Sequence, residues 1–202
     1  MPIGPAPGLK EPLNIPPSKR QRVLATLNWD ARRGKIGLLD KIKGNNQQYD
    51  LDIICLMFDR SGNFLDFVGA EAQTSMDQSG KVYHSGDDQT GEGDTDDEFI
   101  TAELAEIPDA IVHIVYVVEV RSNHTFGDMA TIARIVDSFS NKILLETDIG
   151  VENAVRNTKA FVFAALSRDG GSPSGWTLYH IGDYPDLTQV ADWGSHLKRY
   201  LA

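Results

Sequence analysis

The run AIVHIVYVVEV at residues 110–120 constrains the fold more than any other stretch. Seven of its eleven residues are valine or isoleucine, which favour extended backbone. It is far shorter than the ~20 apolar residues of a membrane-spanning helix. It reads as a strand buried on both faces. Other short apolar runs recur along the chain: RVLATLNW (22–29), YDLDIICLMF (49–58), KVYH (81–84), EFITAELAEI (98–107), ATIARIVDSF (130–139), KILLETDI (142–149), AFVFAALSR (160–168) and GWTLYHIG (175–182). GNFLDFVG (62–69) follows the turn RSGN and is the expected hairpin partner of YDLDIICLMF. Clusters of Gly, Asn, Asp and Ser separate these runs. The pattern predicts an all-β fold, a two-sheet β-sandwich over residues 21–185.

The two ends of the chain differ from this pattern. Residues 1–20 hold six of the nine prolines, which predicts an extended arm outside the sheets. Over residues 186–202, Leu187, Val190, Gly194, Leu197 and Leu201 fall at spacings of three and four. That spacing predicts a C-terminal α-helix lying on the sandwich, with Asp186 and Gln189 resembling a capping box.

One loop holds most of the charge. GDDQTGEGDTDDE, residues 86–98, carries seven of the chain's 29 acids and no lysine or arginine. The other 22 acids nearly balance 19 bases, so the net charge of -10 is local to this loop. No basic stripe is left to neutralise phosphates, which argues against a nucleic-acid partner. The crowding predicts a bound hard cation. Asp87, Asp88, Glu92, Asp94, Asp96, Asp97 and Glu98 offer carboxylates, and Thr90 offers a hydroxyl. Gly86, Gly91 and Gly93 allow turns that aim backbone carbonyls inward. Asp50 and Asp52 open an apolar strand two residues apart, hence on one face with about 6.6 Å between their Cα atoms. Paired acids there are costly without a cation. Nine candidate carboxylates exceed the needs of one calcium ion, so two ions are expected at one end of the sandwich. An EF-hand does not fit: counted from Asp87, position 12 is Glu98, but position 6 is Glu92 where glycine is required. Zinc does not fit either, since Cys55 stands alone and the five histidines show no ligand spacing.

These motifs resemble those of the TerD family of tellurium-resistance and stress-response proteins. GDDQTGEGDTDDE is similar to that family's acidic signature GDNxTGxGxGDDE, DLD at 50–52 to its DLD motif, and LNWD at 27–30 to its first strand. TFGDMATIARIVD (125–137) and GWTLYHIG (175–182) resemble its later strands. The likeness covers roughly residues 22–184. It departs from the family pattern at Asp88, where the family has Asn, and at Thr95, where it has Gly. The resemblance implies a non-enzymatic β-sandwich that binds calcium through the loop and the DLD strand. It also implies complexes with other Ter-type proteins near the inner face of the membrane.

The alternative is a metal-dependent hydrolase with two metals activating water, for which His84 is the nearest candidate base. Direct chemistry on tellurite is disfavoured, because an acidic loop repels anions and Cys55 sits in an apolar strand. With one cysteine and no apolar leader core, a cytoplasmic location is expected. The basic stretch 31–43, with Arg32, Arg33, Lys35, Lys41 and Lys43, reads as a solvated loop, with contact to acidic lipid the lesser reading.

Overall fold

The computed structural model describes residues 3–16, 20–31, 49–87 and 97–201. Within them the strands are β1 (Lys10–Pro12), β2 (Val23–Ala31), β3 (Leu51–Phe58), β4 (Phe64–Val68), β5 (Val82–His84), β6 (Glu98–Ala102), β7 (His113–Val120), β8 (Met129–Asp137), β9 (Lys142–Ile149), β10 (Ala160–Arg168) and β11 (Trp176–Asp183). They form two antiparallel sheets, one ordered β1-β11-β10-β7-β3-β4 and the other β5-β6-β2-β8-β9. The predicted hairpin is present: β3 pairs with β4 from Cys55↔Val68 to Phe58↔Phe64, with one register shift.

The apolar run at 110–120 supplies β7, an interior strand between β10 and β3. Residues Ile114 to Val118 are wholly inaccessible to solvent. Strand alternation divides them between two apolar layers. Ile114, Tyr116 and Val118 face the space between the sheets, beside Leu27, Trp29, Ile53, Cys55, Met57, Phe161 and Phe163. Val115 and Val117 face outward, with Ile54, Leu56, Phe58 and Val162, and the C-terminal segment covers them through Leu197, Trp193, Tyr200 and Leu201.

That segment is helical but shorter than the spacing predicts. A 3-10 turn at Leu187–Gln189 is followed by α1 (Trp193–His196) and a second 3-10 turn at Leu197–Tyr200. Two aspartates break up the expected helix. Asp186 accepts the Thr188 N–H, and Asp192 accepts the Ser195 N–H at 2.7 Å, so each starts a turn of its own. Leu197 is buried, whereas Leu187 is exposed.

The proline-rich arm also departs from expectation, because it joins a sheet. β1 pairs with β11, and Leu13 and Ile15 enter the core. Proline is tolerated here because an edge strand has one side free of ladder bonds. Further back, the Ile3 carbonyl accepts the Glu146 N–H of β9. The arm therefore covers an edge of each sheet. Gly4 makes this possible: its φ is +89°, and a Cβ would lie 2.5 Å from the Leu144 carbonyl oxygen.

Candidate metal centre

Three of the predicted ligands converge. Asp50 precedes β3, Asp52 lies within it, and Asp87 lies just after β5. One carboxylate oxygen from each lies within 4.8 Å of the other two. They line a cleft of about 170 Å³ with Ala70, Glu71 and Arg121. Alternation along β3 places Asp50 and Asp52 on one face, as their spacing predicts, while Leu51 and Ile53 enter the core.

The electrostatics are those of crowded acids. The Asp52 carboxyl is pushed up to about 6, first by burial and then by Glu98, while Arg121 opposes the rise. Asp50 is also raised, by burial first and then by Asp87 and Glu98. An oxygen-only donor set in which Asp50 and Asp52 both resist ionisation suits a hard divalent cation, so these three residues could hold one.

Asp97 and Glu98 hold the surrounding frame. The Trp29 N–H donates to Asp97 Oδ2 at 2.8 Å, where β6 no longer faces β2. Glu98 is fully buried and accepts the Ile53 N–H at 3.1 Å. Pairing of β4 with β3 reaches back only to Cys55, so Ile53 lies beyond it and the Glu98 carboxylate joins the two sheets there. His84 Nδ1 accepts the Gly86 N–H at 3.0 Å, which leaves the ring proton on Nε2, 3.3 Å from Glu98 Oε2. Of the other predicted ligands, Asp88, Thr90, Gly91, Glu92, Gly93, Asp94 and Asp96 lie outside the described residues, as does most of the basic stretch.

Sequence reasoning did not find Arg121, Glu119 or Glu71. Arg121 Nε lies 3.2 Å from Asp52 Oδ2, and its Nη1 lies 3.2 Å from Glu119 Oε2. The alternation of Glu119 and Arg121 was visible in the sequence, but their place beside Asp52 follows from the β3–β7 register, which pairs Asp52 with Glu119.

Fold and site together define a two-sheet antiparallel β protein with an acidic, metal-competent cleft at one end. The TerD domain model matches residues 6–185, and the chain belongs to the TerD family. Tellurium resistance protein TerZ from Serratia marcescens is 33% identical over 69% of this chain and 76% of its own. Stress response protein SCP2 from Bacillus subtilis is 28% identical over 85% of this chain and 86% of its own. A crystal structure of a homologue of telluride resistance protein (TerD) from Streptomyces coelicolor A3(2) has the same fold. It superposes with a TM-score of 0.63 at 19% identity, covering 82% of this chain and 90% of its own. Among the described residues no helix is long and apolar enough to cross a membrane.

Proposed function

We propose that this protein is a cytoplasmic, non-enzymatic calcium-binding module of tellurite resistance and the general stress response. The observation that carries this reading is the convergence of Asp50, Asp52 and Asp87 in one cleft. Their carboxylates would hold one ion. A second would draw on the acids of residues 88–96. Asp50, Asp52 and Asp87 would hold the first ion, and calcium there would supply charge neutralisation, offsetting the repulsion among the three carboxylates. The loaded end then serves as a docking surface for Ter-type partners or for the inner face of the membrane.

The surroundings support binding over catalysis. The His84 side chain is fully buried and its two ring nitrogens face Gly86 and Glu98, so it is poorly placed to activate water at the cleft. Cys55 is also fully buried, and burial pushes its thiol well above the usual range, which disfavours thiolate chemistry on tellurite. Titration calorimetry of chelator-stripped protein with calcium tests the reading. Saturable binding that Asp52→Asn abolishes is expected, and absence of binding to the unaltered protein would overturn it.

A further inference from the structure

The contacts of Asp52 extend beyond the acidic triad to the C-terminal segment. Arg121 Nε lies 3.2 Å from Asp52 Oδ2, and Arg121 Nη1 donates to Glu119 Oε2 at 3.2 Å. The other oxygen of that carboxylate, Glu119 Oε1, accepts the indole N–H of Trp193 at 2.8 Å. Trp193 is the first residue of α1 and packs on the outer apolar layer of the six-stranded sheet. A continuous polar path therefore runs from the cleft to the segment that covers the sheet. Glu119 is its midpoint, one carboxylate divided between a guanidinium and an indole.

We propose that Arg121 is the resident counter-cation of the triad, that a divalent cation displaces it from Asp52, and that the C-terminal segment registers the displacement through Glu119 and Trp193. The proposal rests on the metal reading above. A guanidinium and a divalent ion compete for the same Asp52 oxygens and repel each other at short range. Arg121 is half exposed and can swing away, whereas Asp52 is held in its strand. Once displaced, Arg121 has Glu119 as its remaining carboxylate, and the stronger pairing redistributes the acceptor on which Trp193 depends. Arginine suits this role because its planar fork spans two carboxylates at once, which a lysine ammonium does not.

The test uses the full chain, stripped with chelator, as wild type, Arg121→Gln and Arg121→Lys. Calcium chloride is titrated while heat and the Trp193 indole N–H resonance, assigned with Trp193→Phe, are followed. Arg121→Gln removes the competitor and is expected to bind calcium about tenfold more tightly. Arg121→Lys keeps the charge and is expected to bind within about threefold of wild type. The Trp193 resonance should move when wild type takes up calcium and stay fixed in both variants. Wild-type binding with no gain in Arg121→Gln, or a resonance shift that persists in Arg121→Gln, overturns the proposal and leaves the metal reading standing. If wild type binds no calcium, the metal reading falls and displacement falls with it. The metal-free spectra then judge the remaining link: identical Trp193 resonances in wild type and Arg121→Gln overturn that as well.

Discussion

Asp77 and the Asp50–Asp52–Asp87 cluster are both acid sites, and they solve the same problem in opposite ways. Asp77 is nearly buried, and its carboxylate is surrounded by donors from its own turn: the N–H groups of Ser79, Lys81 and Val82 and the Ser79 hydroxyl. The negative charge is dispersed by local chain geometry and needs nothing from outside. In the cluster, carboxylates face carboxylates, and Arg121 offsets part of the charge from a half-exposed position. Burial of an acid marks structure when backbone donors converge on it. It marks a cation site when other acids do.

The contrast breaks most visibly at Asp77. Asp77→Ala should cost roughly 3 kcal/mol, because it strands several donors, the Val82 N–H among them in buried surroundings. The loss should be equal with and without calcium, as measured by urea unfolding. Asp52→Asn should behave in the reverse sense. It removes repulsion and so raises metal-free stability, but it removes a ligand. In wild type, calcium at about a hundredfold excess over Kd should add about 2.7 kcal/mol, and the variant should lose most of that gain.

Acid titration tests the cluster further. The folded state raises Asp52 to about 6, above its unfolded value, so native protein holds the proton more tightly than unfolded chain does. Metal-free stability therefore falls as pH rises from about 4 towards 6, and levels off above that. Calcium needs the ionised carboxylate, so its stabilising effect should grow over the same interval. Thermal melts across this range, with calcium and with chelator, check both slopes. A metal-free profile that rises with pH between 4 and 6, once other groups are accounted for with Asp52→Asn, would contradict the assignment.

Much of this was legible in the sequence where the information is local. β-branched runs gave the strands, and the spacing of Asp50 and Asp52 gave a shared face beside the loop that carries Asp87. What was illegible depends on pairing between distant segments. The β3–β7 register decides that Glu119 and Arg121 meet Asp52. Proline content spoke against a strand at residues 10–12, yet an edge position on β11 accommodates one. The C-terminal periodicity implied one helix, but Asp192 caps a new turn in mid-segment. Glu98 heads the strand run that the sequence shows, but that its carboxylate turns inward to Ile53 on the other sheet was not readable there.

Glu98 is intermediate between the two kinds of acid, and this gives the finest test. Like Asp77 it accepts a backbone N–H, yet after burial it is the largest influence raising Asp52. Glu98→Gln can keep an oxygen toward the Ile53 N–H while removing the charge. Its fold should survive with a loss of about 1 kcal/mol or less. The Asp52 carboxyl should then titrate below its wild-type value of about 6, but not at the ordinary carboxylate value, because burial remains. Carbon-detected NMR titration of the aspartate side chains in metal-free protein measures this directly. An unmoved Asp52 would mean that the Glu98 charge does not set its titration and that Glu98 belongs with Asp77 as a purely structural acid.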